Sequence, residues 1–306
     1  MSDELAIDAV EVAETIEAFI RQSVDALDRE GAIVGLSGGI DSAVVTALAT
    51  RALGAQRVMA LLMPDRDSDP VHERHARQFA TQLGVRCQKV GLTGLLARIG
   101  IYRQVPLWVV PWRRWRERVV QHYYAALNEQ LGPGQTPFSA IMVGTRGLQG
   151  PWLNQAVAYH RVKVRLRMVL LYYYAELHNL LVLGTVNKTE RSVGIFVKHG
   201  DSAADIAPIA GLYKTQVRQL AAFLDLPHQI IEKPPSPDLI PGLTDEGAVG
   251  VPYELLDRIL WRLEAGKEPA EIAEALGVEV GVVEYVEGLT KRSEHMRQGT
   301  LSPSMR

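Results

Sequence analysis

The chain has 306 residues, of which 47% are hydrophobic and 22% are charged, a composition that can bury the core of one large domain or two modest ones. Its 33 basic and 35 acidic residues leave a formal charge of -2, so no overall positive field favours nucleic acid or an anionic membrane surface. The single cysteine, Cys87, excludes internal disulfides and thiolate metal clusters and is compatible with a reducing cytoplasm.

Neither the N-terminus nor the most apolar stretch of the chain predicts membrane targeting. MSDELAIDAVEVAETIEAF is acidic and helix-patterned, and it lacks the basic and apolar regions of a secretory signal. MVLLYYYAELHNLLVLG is interrupted by Glu176, His178 and Asn179, well short of a membrane span. We therefore expect a cytoplasmic protein that binds no membrane.

Helix and strand patterns alternate through the first third of the chain. Apolar residues recur at helical spacing over 4–28, and AIVGLS (32–37) is typical of a buried strand. Next come a helix over 41–54, a strand over 57–64, a helix over 71–84 and a strand over 85–92. Strands that alternate with helices need crossover connections, so the sequence predicts a doubly wound α/β fold with a parallel sheet.

The second half continues this pattern and then becomes helical. A long helix around 160–179 precedes a fourth strand in LLVLGT (180–185), and a further helix over 213–227 ends at Pro227. KPPSPDLIPGLTDEG (233–247) is a loop too long for a simple connection in a compact domain. A C-terminal helical segment is predicted at about 253–298.

The segment 94–155 fits the strand and helix alternation least well. It carries four tryptophans among arginines, namely Trp108, Trp112, Trp115 and Trp152. Exposed clusters of aromatic residues and arginine are typical of interfaces. An enlarged core or a dimer surface is the preferred interpretation, and a dedicated partner surface is the alternative.

The string SGGIDS (37–42) lies where the first strand ends and the next helix begins, which is where open α/β sheets bind ligands. Its glycines let backbone N–H groups approach an anion, and its serines add hydroxyl donors. A bare carboxylate at Asp41 would repel phosphates unless a magnesium ion lay between them. The alternative is a tight turn with Asp or Ser capping the helix, which the full string makes less favourable.

SGGIDS resembles the pyrophosphate loop of the N-type ATP pyrophosphatases, which cleave ATP between the α and β phosphates to adenylate a substrate. The Walker GxxxxGK[ST] pattern is absent. LGTVNKTERSVGIFVKHGDSAADIAPIAGLYKTQVRQLA (183–221) and IIEKPPSPDLIPGLTDEGAVGVPYELLD (230–257) are similar to the ammonia-dependent NAD synthetases. The resemblance covers roughly 5–93 and 155–298.

This resemblance implies one NAD synthetase domain over 1–306, with a Rossmann-like fold of the adenine nucleotide alpha hydrolase type, and a homodimer. It implies that ATP, with Mg²⁺, adenylates the carboxylate of deamido-NAD and that pyrophosphate is released. Ammonia then displaces AMP to form NAD.

The family's functional residues correspond to positions spread along the chain. The implied metal ligands are Asp41 and Glu190, and the implied catalytic residues are Asp41, Lys214 and Asp201. The implied ATP contacts are Gly35, Leu36, Ser37, Gly38, Gly39, Ile40, Asp41, Ser42, Thr185, Lys214 and Ser236. The implied deamido-NAD contacts are Arg165, Lys198, Asp205 and His295.

Several of these residues also have a simpler interpretation. Glu190 could occupy the first turn of a helix, where the helix dipole favours an acid. Lys214 could be a solvated lysine at a helix start, Asp205 a helix cap, and Arg165 part of an exposed basic face.

The C-terminal sequence departs from the family pattern. The family often ends in a His-Lys pair, whereas here His295 is followed by Met296. A methionine cannot replace an ammonium group, so Arg297 or Lys291 would have to take over that contact.

Free ammonia is the expected nitrogen donor. Glutamine-using relatives carry an amidase domain with a cysteine nucleophile, whereas Cys87 lies in a predicted strand. A separate amidase subunit bound at 94–155 is the alternative.

The loop 233–247 is expected to close over the nucleotide and exclude water from the adenylate.

Two other functions compete with this interpretation. The first is a related amide ligase that adenylates a different carboxylate. The second is nucleic-acid binding, because 269–289 has a helix-turn-helix spacing around Gly277. That stretch contains several glutamates and no Lys or Arg, which opposes binding to a phosphate backbone, so no nucleic-acid partner is expected.

Overall fold

The computed structural model describes residues 4–104, 151–233, 245–300 and 302–303. Within them a parallel sheet contains four strands, β1 Gly31–Gly35, β2 Val58–Leu62, β3 Arg86–Lys89 and β4 Leu180–Leu183. Their order across the sheet is β3-β2-β1-β4. The predicted doubly wound α/β fold is confirmed.

Helices of the described residues precede, separate and follow the strands. They are α1 Ala9–Ala26, α2 Ile40–Leu53, α3 Pro70–Leu83, α4 Thr93–Arg98, α5 Ile101–Gln104, α6 Pro151–Leu177, α7 Lys188–Val193, α8 Lys214–Phe223, α9 His228–Ile231, α10 Asp245–Val249, α11 Tyr253–Glu264, α12 Pro269–Leu276 and α13 Val280–Arg297. The first helix starts later than the pattern predicts, because the Asp8 side chain accepts hydrogen bonds from Val10 N and Glu11 N and caps it.

Alternate residues of each inner strand enter different apolar cores, because side chains of a strand point to opposite faces. Ala32 and Val34 pack in the core that contains α1, α2 and α8. Ile33 packs in the core that contains α6. A strand buried on both faces explains why β1 and its neighbours are continuous apolar runs in the sequence.

The C-terminal helices enclose an apolar core of their own. Leu256 and Ile259 of α11 pack with Ile272 of α12 and Val283 of α13. Gly277 ends α12 with a φ of +67°, a conformation that suits glycine. The apolar residues that give 269–289 its helix-turn-helix spacing therefore pack α12 and α13 against α11.

The segment 94–155 falls largely outside the described residues. Its described ends are helical, because α4 and α5 occupy 93–104 and α6 begins at Pro151. Trp108, Trp112 and Trp115 lie outside the described residues. No helix in the described ranges combines the length and apolarity needed to cross a membrane.

The strand order determines where a ligand can bind. The chain runs outward from β1 to β2 and β3, and then returns to place β4 on the other side of β1. Open α/β sheets bind ligands outside the carboxyl ends of the strands at such a reversal. Val34 pairs with Leu183 there, so the segments that follow β1 and β4 begin side by side.

Candidate active site

The loop after β1 is shaped by close contact with α3. Gly38 has a φ of +80°, and a Cβ at this position would lie 2.4 Å from His72 O. Only glycine meets both conditions without strain. Gly39 then caps α2 with no hydrogen bond from a side chain. The capping alternative for Asp41 is therefore not what the structure shows.

The two serines of the loop bond to the loop itself. Ser37 Oγ accepts a hydrogen bond from Gly39 N at 3.2 Å, and Ser42 Oγ donates to Gly39 O at 3.0 Å. Ser42 Oγ also accepts from Ser37 N at 3.2 Å. These bonds hold the glycine loop in a defined shape at the end of β1.

Asp41, Glu190 and Lys214 converge beside this loop. Lys214 Nζ lies 2.5 Å from Asp41 Oδ2 and 3.4 Å from Glu190 Oε1. Asn187 Nδ2 donates to the other carboxylate oxygen of Asp41 at 2.9 Å. Residues from α2, α7 and α8 thus meet at the reversal of the sheet.

Glu190 fits both of its sequence-based interpretations. It occupies the first turn of α7, where its side chain accepts from Asn187 N at 3.3 Å while Asn187 Oδ1 accepts from Glu190 N at 2.9 Å. This reciprocal pair is a capping box. The same carboxylate reaches Lys214, so capping α7 also orients Glu190 toward Asp41.

The pair Asp41 and Glu190 fits a magnesium ion. Magnesium is bound in nucleotide sites by one or two carboxylates together with phosphate oxygens and water, and these two carboxylates already attract one cation, the Lys214 ammonium. No group of three or more acidic, histidine or cysteine ligands occurs among the described residues. The donor set therefore suits a metal shared with a nucleotide.

Lys214 is not the solvated lysine of the simpler interpretation. It is 1% exposed, and its Nζ lies 5.4 Å from the centroid of the Tyr253 ring. A buried ammonium requires compensating charge, which the two carboxylates supply.

A cavity of about 220 Å³ adjoins the start of the glycine loop at Gly35, Leu36 and Ser37. Its polar wall includes Ser37, Thr185 and Asp201. Its apolar wall is formed by residues from β1, β2, β4 and α6, among them Leu36, Leu61, Met63, Met168, Leu171 and Leu183. An apolar cavity with a few polar groups beside a glycine loop suits the base and sugar of a nucleotide.

Asp201 lies between this cavity and a second one of about 260 Å³. Its Oδ1 accepts a hydrogen bond from Val197 N at 2.7 Å. Burial raises the pKa of Asp201 to about 6, although hydrogen bonds from backbone N–H groups favour the ionised form.

The second cavity gathers three of the four residues implied as deamido-NAD contacts at or beside its wall. Lys198 lines it, and Lys198 Nζ donates to His295 O at 3.2 Å. Arg165 donates to Lys198 O at 3.2 Å. Arg191, Lys198 and Arg297 line this cavity, so its wall carries cationic side chains.

The remaining predicted contacts lie elsewhere. Asp205 accepts from Tyr172 OH at 2.9 Å and from Val182 N at 2.8 Å, so it is bound to the edge of β4 and lines neither cavity. No described helix starts at Asp205, which removes the cap interpretation. Ile40 is buried in the sheet core. Ser236 lies outside the described residues.

The two candidates for replacing the missing C-terminal lysine differ in position. Arg297 lines the second cavity, although its guanidinium also donates to Ser192 O at 2.8 Å and Thr290 O at 2.8 Å. Lys291 pairs with Glu287 on an exposed face. Met296 itself is buried. Of the two cations, Arg297 is the one at the cavity.

Two buried acidic groups were missed by sequence reasoning. Asp65 and Asp67 follow β2 and pair with Lys163 of α6, whose Nζ lies 2.5 Å from Asp67 Oδ2 and 3.4 Å from Asp65 Oδ2. Asp257 of α11 is fully buried. The DRDSD string at the end of a predicted strand could have indicated the acids of the first group. Asp257 lies in an ordinary amphipathic helix, so no sequence pattern indicated that it is buried.

Comparisons with known proteins agree over almost the whole chain. A family model described as NAD synthase matches residues 12–144 and 137–300. An NH(3)-dependent NAD(+) synthetase of Coprothermobacter proteolyticus is 40% identical over 288 residues, 92% of this chain and 96% of the relative. One from Thermotoga maritima is 43% identical over 256 residues, 83% of this chain and 88% of the relative. The solved structure of NMN synthetase from Francisella tularensis matches with a TM-score of 0.72 at 27% identity, over 98% of this chain and 100% of that one.

Proposed function

The chain belongs to the NAD synthase family and is a ligase that forms a carbon–nitrogen bond, and from this premise we propose that it converts deamido-NAD to NAD with ATP and ammonia. The observation that carries the proposal is the meeting of Asp41, Glu190 and Lys214 beside the glycine loop. This arrangement suits activation of a carboxylate by adenylation.

A carboxylate resists attack by an amine until one of its oxygens becomes a good leaving group, and adenylation makes that oxygen a leaving group. A carboxylate oxygen of the nicotinate group attacks the α-phosphorus, and the bond to the β-phosphate breaks to release pyrophosphate. Ammonia then attacks the carbonyl carbon, and the bond to AMP breaks. Asp201, between the two cavities, accepts the proton that the nitrogen loses.

Different residues of the chain bind different parts of ATP. The backbone N–H group of Gly38 binds the departing pyrophosphate, and the ammonium of Lys214 stabilises charge on the α-phosphate. Asp41 and Glu190 would hold Mg²⁺, which would neutralise part of the phosphate charge. The 220 Å³ cavity takes the adenosine.

The substrate dinucleotide is assigned to the second cavity. Lys198 and Arg165 supply positive charge for its phosphates, with His295 close by. Asp205 contacts the substrate only if its bonds to Tyr172 and Val182 leave an oxygen lone pair for it. The ATP contact of Ser236 and the expected closing of the loop 233–247 over the nucleotide stay predictions, because 234–244 lie outside the described residues.

A homodimer is part of the proposal. Val169, Tyr173 and Leu177 of α6 are 61%, 56% and 58% exposed, and their spacing of four residues places them on one face of the helix. An exposed apolar stripe of this kind is typical of a surface covered by another chain. We assign a second copy of this protein as the chain that covers this stripe. The proposed enzyme is cytoplasmic and uses free ammonia.

A second candidate substrate follows from the structural comparison. The Francisella protein is named for making NMN, which is half of the NAD molecule. Met296 stands where the family often has a lysine that reaches the dinucleotide, and Arg297 is the cation that lines the cavity near that position. Nicotinate mononucleotide is therefore the carboxylate to test against deamido-NAD.

One assay tests the proposal. Purified protein with ATP, Mg²⁺ and ammonium is given deamido-NAD or nicotinate mononucleotide, and NAD, NMN, AMP and pyrophosphate are measured. We expect NAD, AMP and pyrophosphate in equal amounts, with kcat/KM at least about tenfold higher for deamido-NAD. Faster turnover of the mononucleotide would replace the proposed substrate, and turnover of neither would reject both.

Two controls accompany this assay. Asp41→Asn retains the shape of the side chain but removes one magnesium ligand charge, so we expect no pyrophosphate release from a variant that still folds. Near-normal activity would reject the metal role of Asp41.

Glutamine in place of ammonium should give no product, and an equal rate with glutamine would overturn free ammonia as the donor.

A further inference from the structure

Asp257 is a buried carboxylate outside the site described above. It is 0% exposed, and its neighbours Leu256, Ile259 and Leu260 in α11 belong to the C-terminal apolar core. Burial raises the pKa of Asp257. A carboxylate in such surroundings is costly unless its oxygens accept hydrogen bonds.

Both oxygens of Asp257 accept bonds from the two helices that carry the site. Thr189 Oγ1 of α7 donates to Asp257 Oδ1 at 2.5 Å, and Thr215 N of α8 donates to Asp257 Oδ2 at 2.8 Å. Thr189 Oγ1 in turn accepts from Lys214 N at 2.9 Å. One threonine hydroxyl therefore connects α7, α8 and α11.

These bonds reach the residues directly beside the proposed functional groups. Thr189 precedes Glu190, and Thr215 follows Lys214. The first N–H groups of a helix have no partner within the helix, so an acceptor supplied by another helix determines where that helix begins. Asp257 and Thr189 together satisfy two such N–H groups at the start of α8.

A second acid of α11 connects the same two helices at the surface. Glu264 Oε2 accepts from Tyr213 OH at 2.8 Å and lies 2.5 Å from Lys188 Nζ. Its side chain is 57% exposed, so solvent weakens this connection. The buried connection through Asp257 is the stronger of the two.

We propose that Asp257, acting through the Thr189 hydroxyl, is a positioning residue that sets the distance between the metal-binding Glu190 and the phosphate-binding Lys214. This proposal rests on the proposed function and adds to it a role for the C-terminal helices. Asp257 touches neither substrate nor metal. Its removal changes how Mg²⁺ and ATP bind because the two side chains lose their common support.

Thr189 gives the sharpest test, because its side chain can change without changing volume. Thr189→Val removes the hydroxyl and Thr189→Ser retains it. For Thr189→Val we expect the KM for ATP and the Mg²⁺ concentration at half-maximal rate each to rise about tenfold, as for loss of a buried hydrogen bond. Thr189→Ser should stay within about twofold of the natural protein.

Asp257→Asn is the companion variant, because it replaces one acceptor oxygen by an NH₂ donor. We expect the same shifts in KM and Mg²⁺ dependence, and the double variant Thr189→Val with Asp257→Asn should be less than additive since both act on one network. Glu254→Gln is the matched control, because Glu254 also joins α11 to α8, through Arg218, but at an exposed position. Glu254→Gln should leave the KM for ATP and the Mg²⁺ dependence unchanged.

A purely structural role would give a different result. If Thr189→Val and Asp257→Asn lower the thermal midpoint or the active fraction but leave the KM for ATP and the Mg²⁺ dependence unchanged, the proposal is overturned. Failure of Thr189→Ser to restore Mg²⁺ dependence would also overturn it.

The experiment separates this proposal from the proposed function. Calorimetric binding of ATP with Mg²⁺ is measured in the absence of any carboxylate substrate. If the natural protein makes no NAD yet Thr189→Val weakens this binding about tenfold, the positioning role holds and the assigned substrate is wrong. Equal binding by both proteins rejects the positioning role.

Discussion

At the scale of single residues, Asp201 shows how burial adapts a carboxylate to neutral pH. Its pKa is raised to about 6 because loss of solvent disfavours the charge of this partly buried side chain, which lines both cavities that we assign to ATP and substrate. A base works best when its pKa lies near the working pH. An exposed aspartate, with a pKa near 4, would be a weaker proton acceptor at this position.

This predicts a pH profile for the natural protein and for Asp201→Asn. In the proposed mechanism the ionised form of Asp201 accepts the proton that the nitrogen loses, so the rate of NAD formation at saturating ATP and deamido-NAD should rise as pH increases through about 6, the raised pKa of Asp201, and then level off. Asp201→Asn should be slower and should lack this rise. The measurement runs from about pH 5 to 8 with the concentration of unprotonated ammonia held constant.

Asp205→Asn is the control for this profile, since Asp205 lies on the same segment but lines neither cavity. It should keep the rise near pH 6 whatever its effect on rate. A rise that persists unchanged in Asp201→Asn would contradict the role of Asp201 as the titrating base.

At the scale of secondary structure elements, a buried ionic cluster joins α6 to the segment after β2. Lys163 is 0% exposed and lies 2.5 Å from Asp67 Oδ2. Burial is the largest single influence and opposes ionisation of Asp67, but the charge and hydrogen bond of Lys163, the hydrogen bond of Tyr159 and the charge of Arg66 together lower the pKa of Asp67. Met63 and Ser68 of the same segment line the 220 Å³ cavity, so this cluster supports one of its walls.

Lys163→Met tests how much this cluster stabilises the fold. The substitution keeps most of the side-chain volume but leaves two buried carboxylates with one cation fewer, which should lower the free energy of unfolding by about 3 to 5 kcal/mol. Urea unfolding measures the change. Lys89→Met is the matched control, because Lys89 pairs with Glu73 at an exposed position, and it should cost under about 1 kcal/mol.

The double variant Lys163→Met with Asp67→Asn checks the electrostatic cause. Removing the charge that Lys163 balances should restore part of the lost stability. Equal losses for Lys163→Met and Lys89→Met would show that the buried pair contributes no more than a surface pair.

At the scale of the whole molecule, α6 has two different faces. Met168, Leu171 and Ala175 are buried against the sheet. Val169 and Tyr173, on another face, are exposed. Because Arg165 lies on the same helix and beside Lys198, a second copy covering α6 would come close to the substrate cavity.

Tyr173→Glu tests the proposed dimer. A carboxylate in the centre of the apolar stripe would have to be buried in the interface, so we expect the protein to change from a dimer of 33.8-kDa chains to a monomer. Size-exclusion chromatography with light scattering measures the mass. Phe19→Glu, at an exposed apolar residue of α1, should leave the mass unchanged, and a monomeric natural protein would contradict the proposal.

Much of the fold could be predicted from sequence because its signals are local. The apolar runs of β1, β2 and β4 and the helical spacing of α2 and α3 are visible within single segments. Element boundaries were less accurate where a capping side chain decides them, as Asp8 does for α1. Whether the chain forms one domain, and which residues bind which substrate, stay predictions.

The sequence by itself determined the kinds of elements, the glycine loop and, through family resemblance, which acids and lysine to expect at the site. Only the tertiary structure decided that Asp41 and Glu190 share Lys214, that Asp205 is bound to β4, and that Asp257 connects α7 to α8. The physical reason is distance along the chain. Local patterns reflect burial and backbone geometry within one segment, whereas these contacts join residues that the folding of the sheet alone brings together.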